Sequence, residues 1–219
     1  MLLINKLSMV KVIQVNVGGF DSNFSYIVTK SDSSKNAIII DPTGNLSVIE
    51  TALKLNNLTI GMQLFTHSHP DHTELMNYFI SKKVPTYIPP SGLVGKSKDI
   101  EACGLKIKVL HTPGHTQESV CFIIEENIFS GDTIFVKGIG TTAYGGNDSI
   151  LKETLNYLST LNPSLKLWPG HNYGGASSSL GGALKNSHIK PSDKILEIIK
   201  KKVKKYESEQ TGNQKKTFK

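Results

Sequence analysis

Thr66-His-Ser-His-Pro-Asp-His72 is the stretch that decides how this chain reads. It sets three imidazoles and a carboxylate within six residues, in a chain with seven histidines in all. An apolar strand, Gly61 to Phe65, runs directly into it, and the spacing of apolar residues beyond it predicts a helix from about Thr73 to Ser81. Divalent ions such as Zn²⁺ take nitrogen and oxygen ligands at about 2.0–2.2 Å, and a turn held between a strand and a helix can aim neighbouring side chains at different points. His67 and His69 can serve one ion, Asp71 and His72 a second. The expectation is a metal-dependent enzyme holding two ions, or at least one.

One local cluster cannot complete two coordination shells, so further ligands are expected at the ends of later strands. Three residues qualify: His115 in Pro-Gly-His-Thr, Asp132 in Ser-Gly-Asp-Thr and His171 in Pro-Gly-His-Asn. Each follows a glycine, which allows a tight turn to swing the next side chain into a cleft. His111 lacks this setting and reads as a structural residue or one that supports a ligand from behind. His188 reads as a surface or pocket-rim residue.

Around these points the pattern alternates strands and helices. Strands are predicted at Val10 to Val17, Phe24 to Thr29, Ala37 to Ile40, Pro85 to Ile88, Leu105 to Leu110, Val120 to Ile124, Asn127 to Phe129 and Lys166 to Trp168, with a hairpin at Glu125-Glu126. Ser47, with Glu50 three residues on, reads as the cap of a short amphipathic helix. A second helix is expected from Ser149 to Leu161, and a third, begun by Ser192, carries Ile195, Ile198, Ile199, Val203 and Tyr206 in one stripe. Each polar cluster sits where a strand stops, as loops at one edge of packed sheets require.

The order H-x-H-x-D-H, G-H-T, S-G-D-T, P-G-H resembles that of the metallo-β-lactamase superfamily, over about Val12 to Lys190. Ser130-Gly-Asp-Thr-Ile-Phe135 and Trp168-Pro-Gly-His-Asn-Tyr-Gly174, with Ser177 to Gly181, look like the branch of glyoxalase II and the persulfide dioxygenases. True β-lactamases put another residue at the Asp132 position. The resemblance implies an α/β fold, an αββα sandwich of two mixed sheets flanked by helices. It also implies one metal on His67, His69 and His115, a second on Asp71, His72 and His171, and Asp132 bridging them. Zn is the expected metal, with Fe or Mn as substitutes. Two cations would bring the pKa of a shared water from 15.7 towards about 7, giving a metal-bridging hydroxide, with Asp71 and Asp132 fixing its geometry. The reaction implied is hydrolysis of a small-molecule thioester or related ester.

The chain departs from that branch where glyoxalase II and the dioxygenases carry a Lys or Arg for the glutathione carboxylate. Here stands Thr141, and a hydroxyl does not replace a charge-assisted bond of about 1.5–3 kcal/mol. Lys137, Tyr144 and Tyr173 are the other candidate substrate contacts, and a thiol carrier other than glutathione, or a smaller ester, is expected. The alternative within the branch is a persulfide dioxygenase with one Fe(II) on His67, His115 and Asp132. A lactonase or a nucleic-acid phosphodiesterase ranks below both.

Composition limits the rest. At 219 residues the chain suits a main domain over 10–190, followed by a packed helix over 191–207 and a disordered Lys-rich tail over 208–219. The net charge of +7 comes from the end: residues 1 to 184 carry 14 Lys against 14 acids, residues 185 to 219 carry 11 Lys against four. A basic excess confined to a frayed end, without interleaved aromatics, argues against nucleic acid as a partner. Arg is absent from the sequence, so no bidentate clamp for a carboxylate or phosphate exists. Cys103 and Cys121 read as small buried apolar residues rather than ligands. No apolar run approaches the roughly 18 residues a membrane span needs, and the opening segment lacks a cleavage site, so a cytoplasmic enzyme free of the membrane is expected, with a homodimer as one option for its assembly.

Overall fold

The computed structural model describes residues 10–18, 21–30 and 34–187. The helix expected over 191–207, the tail over 208–219 and His188 lie outside the described residues. Within them, two mixed sheets face each other. The first runs β1 (Val10–Gly18), β2 (Asn23–Lys30), β3 (Asn36–Ile40), β4 (Thr59–Leu64), β5 (Thr86–Tyr87) in that spatial order. β1 to β3 are antiparallel neighbours, whereas β3, β4 and β5 are parallel, because helices α1 (Leu46–Leu55), α2 (Pro70–Thr73) and α3 (Met76–Ser81) form the crossovers between them.

The second sheet has six strands. These are β6 (Ser97–Ala102), β7 (Leu105–His111), β8 (Val120–Ile124), β9 (Asn127–Gly131), β10 (Lys166–Pro169) and β11 (Ser178–Ser179), ordered from β11 at one edge to β6 at the other. Only β9 and β10 pair in parallel, across helix α4 (Asp148–Leu158), and helix α5 (Leu180–Asn186) follows β11.

Three apolar clusters account for the layering. Alternate residues of both sheets, among them Tyr26, Val28, Ile38, Ile40, Ile107, Val109, Phe122 and Phe129, meet between the sheets. Ile27, Ile39 and Ile49 pack with Phe79 beneath α1 and α3, while Leu151, Leu155 and Leu158 of α4 and Leu180 of α5 cover the outer face of the second sheet. Strands buried on both faces read as continuous apolar runs, which explains Ala37-Ile-Ile-Ile40 and Val120 to Ile124. Each fully buried Ile or Phe contributes about 1.5–3 kcal/mol. The layers are helix, sheet, sheet, helix, the αββα sandwich expected.

Several boundaries differ from expectation for identifiable reasons. Asn45, not Ser47, caps α1; its side chain accepts from the Ser47 backbone N–H. The helix expected over 73–81 is divided, because Pro70 starts a separate turn that holds Asp71 and His72, and α3 begins only at Met76. β6, β11 and α5 had no counterpart in the expected elements. Among the described residues no helix is long and apolar enough to cross a membrane.

Candidate metal centre

The strand ends on one rim of the sandwich bring all seven expected side chains together. β4 delivers Thr66 and His67 and α2 delivers Asp71 and His72, while β7, β9 and β10 lead into His115, Asp132 and His171. Of the glycines before the last three, Gly114 (φ 136°) and Gly131 (φ 47°) adopt backbone angles that favour glycine. Gly170 is needed for space instead: a Cβ there would lie 2.2 Å from Asp132 Oδ1.

His67, His69 and His115 form one group, with His115 Nε2 3.3 Å from His67 Nε2 and 3.0 Å from His69 Nδ1. Asp71, His72 and His171 form a second, with the two Nε2 atoms 3.2 Å apart and Asp71 Oδ2 3.4 Å from His171 Nε2. Asp132 reaches both: Oδ2 lies 3.7 Å from His115 Nε2 and 3.2 Å from His171 Nε2, and Oδ1 lies 3.3 Å from His72 Nε2.

The outward nitrogen of every imidazole meets an acceptor, and this fixes the tautomers. His115 Nδ1 donates to the Thr141 carbonyl (2.6 Å), His171 Nδ1 to the Asp21 carbonyl (2.7 Å), His69 Nε2 to the Tyr144 carbonyl (3.3 Å) and His72 Nδ1 to Asp41 Oδ2 (3.1 Å). The Thr66 hydroxyl donates to Asp41 Oδ2 (2.7 Å), so its oxygen is left to accept from His67 Nδ1 (3.0 Å). With all five rings neutral, the inward nitrogens would present lone pairs to one another at 3.0–3.3 Å. Such an arrangement is repulsive unless a positive charge sits between them. Asp132 Oδ1 adds a buried carboxylate oxygen with no hydrogen-bond partner. The donor set fits divalent cations, and protons stand in for them otherwise. Burial opposes charge on His72 and His171, but Asp132 outweighs it: His72 is raised well above the usual imidazole range and His171 is raised to about 10. Burial, with the charge of His72, lowers His67. Asp132 is held far below the usual carboxylate range, the charge of His72 and a bond from His171 overcoming its burial.

Sequence reasoning missed Asp41. Asp41, His67 and His72 also lie close enough to form a group, yet Asp41 is already committed to the Thr66 N–H and hydroxyl and to His72, so it orients the rings rather than adding a free donor. Its signal was faint: an acid closing the apolar run of β3. Asn23, whose amide donates to the Asp71 carboxylate and carbonyl (3.1 Å each), carried none.

The expected substrate contacts divide. Tyr173 stacks on the His171 ring (centroids 5.2 Å apart, planes 7° apart), and its hydroxyl bonds the Asp21 carboxylate. Tyr144 is exposed and lies edge-on to His69 (6.5 Å). Thr141 serves the site through its carbonyl. The Lys137 backbone N–H donates to the Tyr173 carbonyl, and its side chain passes close over Gly174. His111 makes no contact with the seven and lines a separate cleft.

No family model matches the chain. Among known proteins it is similar to the probable polyketide biosynthesis zinc-dependent hydrolase PksB of Bacillus subtilis, at 29% identity over 168 residues, 70% of this chain and 74% of that one. It is 33% identical to the probable hydroxyacylglutathione hydrolase glo2 of Schizosaccharomyces pombe over 172 residues, 71% of this chain and 66% of that one. Among solved structures, ETHE1 from Myxococcus xanthus superposes with a TM-score of 0.71 at 23% identity, covering 87% of this chain and 90% of that one. The BLEG-1 B3 metallo-β-lactamase gives 0.67 at 24%, covering 82% and 98%.

Proposed function

The chain belongs to the metallo-β-lactamase superfamily, and from that premise we propose that it is a metal-dependent hydrolase of thioesters or related esters. The observation that carries this reading is the convergence of five imidazole nitrogens, each with its proton held on the far side of the ring, around a carboxylate that reaches both groups. Similarity to a zinc-dependent hydrolase and to a hydroxyacylglutathione hydrolase supports the same chemistry.

In this reading His67, His69 and His115 hold one cation, Asp71, His72 and His171 a second, and Asp132 both. When bound, such cations supply a water acidified to about neutral pH and a Lewis acid for the substrate carbonyl. The protein's own part is orientation: Thr141, Tyr144, Asp41 and Asp21 fix the rings from behind, and Asp71 and Asp132 provide fixed negative charge at the centre. Tyr173 and Tyr144 offer aromatic walls to a substrate, with Lys137 as the cation near Tyr173. With Thr141 neutral, a glutathione carboxylate finds no charged partner there, so a different thiol carrier fits better.

Elemental analysis and turnover test the reading together. Protein purified without added metal is expected to hold about two divalent ions and to cleave acyl thioesters, and Asp132→Ala to lose both full loading and turnover. One iron per chain with sulfite released from a persulfide would replace this reading with the dioxygenase, on His67, His115 and Asp132. A fully loaded, active Asp132→Ala variant would remove Asp132 from the centre.

A further inference from the structure

The inner face of β6 begins as core. Ala102 and Ile100 pack against the cluster between the sheets, and the two-residue alternation of a strand carries that face on to Lys98 and then Lys96. On the neighbouring β7 the inner residues Leu105, Ile107 and Val109 are followed by His111. The sandwich interior thus ends, at this corner, in two ammoniums and an imidazole. With Ser91, Gly92 and Ser97 they line a cleft of about 520 Å³, within the range of small-molecule sites.

Two features suit the cleft to an anion. Among the described residues neither Lys96 nor Lys98 pairs with a carboxylate, whereas Lys108, on the other face of β7, pairs with Asp99. Lys98 is held in place, its ammonium 4.6 Å from the centre of the Tyr87 ring. His111 forms the fixed wall of the cleft: it is 6% exposed, and its Nδ1 is sealed off by Gly92, where a Cβ would lie 2.0 Å from that nitrogen. Burial and then the two lysines lower the His111 pKa. The segment is fixed by main-chain bonds from Gly95 N–H to the His111 carbonyl (3.0 Å) and from His111 N–H to the Lys96 carbonyl (2.8 Å). Two point charges, flanked by the hydroxyls of Ser91 and Ser97, suit the tetrahedral oxygens of a phosphate better than a planar carboxylate.

The cleft shares a rim with the metal centre. His111 pairs with Val120, and the Val120 N–H bonds the Thr66 carbonyl, next to His67. Two hydrogen-bonded backbone steps of about 5 Å each thus lead from His111 to Thr66.

We propose that this cleft binds a phosphate group, carried by the thiol half of the thioester that the metal centre cleaves. The carrier rests on the hydrolase reading; the phosphate site does not. The test uses the metal-loaded full chain and two substrates that differ only in the phosphate, S-acetyl phosphopantetheine and S-acetylpantetheine. Inorganic phosphate is titrated separately while the His111 ring resonances are followed. The wild type is expected to favour the phosphorylated substrate, and Lys96→Gln/Lys98→Gln to cut that preference, as a ratio of kcat/KM, about tenfold and to abolish the phosphate-dependent shift at His111. Lys108→Gln serves as the matched charge control. A lost shift with an unchanged ratio keeps the phosphate site and assigns it to free phosphate, overturning the carrier. Turnover of neither substrate with the shift intact defeats the hydrolase reading and leaves the site standing. An unchanged ratio with no shift at His111 in the wild type overturns the proposal. Self-association of the double variant alongside that result would show that the lysines guard β6 as an exposed sheet edge.

Discussion

Asp41 is 2% exposed and sits at φ 49°, a backbone angle unusual for a residue with a side chain. The strain is offset by what the carboxylate does there: it accepts from the Thr66 N–H at 2.7 Å, from the Thr66 hydroxyl at 2.7 Å and from His72 Nδ1 at 3.1 Å. Through Thr66 it also sets the tautomer of His67, so one carboxylate orients a ring in each group. Asp41→Asn keeps the shape but must turn either its oxygen or its NH₂ towards His72 Nδ1–H, and one donor in the trio is left unmet. Metal affinity is expected to fall about 10–100-fold, read by competition with a chromophoric chelator, with the folded state retained by circular dichroism. Wild-type affinity would mean that Asp41 serves only the fold.

At the scale of elements, the parts of the fold that were legible are those whose side chains repeat. Ala37-Ile-Ile-Ile40 and Val120 to Ile124 announce buried strands, and Leu151, Leu155 and Leu158 announce one face of α4. The seven converging side chains were legible because four of them crowd the turn after β4 and the other three each follow a glycine beyond a later strand. β6 was not, since Ser97-Lys-Asp-Ile-Glu-Ala102 is an edge strand with only Ile100 and Ala102 turned to the core. β11 and α5 are too short, and too rich in Ser and Gly, for a period to show. The supports behind the rings escaped because four of them work through main-chain carbonyls or an acid distant in sequence. One such support is an element: α4 braces the turn that presents His115. Asn147 N–H donates to the Gly114 carbonyl (2.8 Å), Thr154 Oγ1 donates to the Pro113 carbonyl (2.5 Å), and a Cβ on Gly114 would lie 2.3 Å from Leu151 Cα. Backbone cannot yield as a side chain tip can. Gly114→Ala is therefore expected to cost about 2–3 kcal/mol or more and to weaken binding at the three-imidazole group, checked by denaturant midpoint and zinc stoichiometry. Wild-type values for both would show that α4 does not set the turn.

For the whole molecule, the centre makes stability a contest between protons and cations. Without cations, His72 and His171 are protonated at neutral pH: burial resists this, but Asp132 prevails, and the His171 pKa stands at about 10. His67 and His115 are neutral, lowered first by burial. A folded-state pKa above the unfolded value of about 6.5 gives stability that is fully present below that value and lost as pH rises through the folded one. The metal-free protein is expected to melt at progressively lower temperature between about pH 6.5 and 10. Asp132 and Asp71, whose folded pKa values are depressed, contribute the opposite limb, which disappears below about pH 3.9. Cations need the nitrogens deprotonated, so the loaded protein gains where the metal-free protein loses, and the gap between their melting temperatures widens with pH. Loading at pH 7 must also release protons, about two from His72 and His171 and almost none from His67 and His115. Calorimetric titration of zinc in buffers of different ionisation enthalpy reads that number directly, and chelator-treated and zinc-loaded melts across pH read the gap. Zinc uptake with no dependence on buffer, together with a gap that stays constant from pH 6 to 9, would mean that the carboxylates do not hold those two rings protonated.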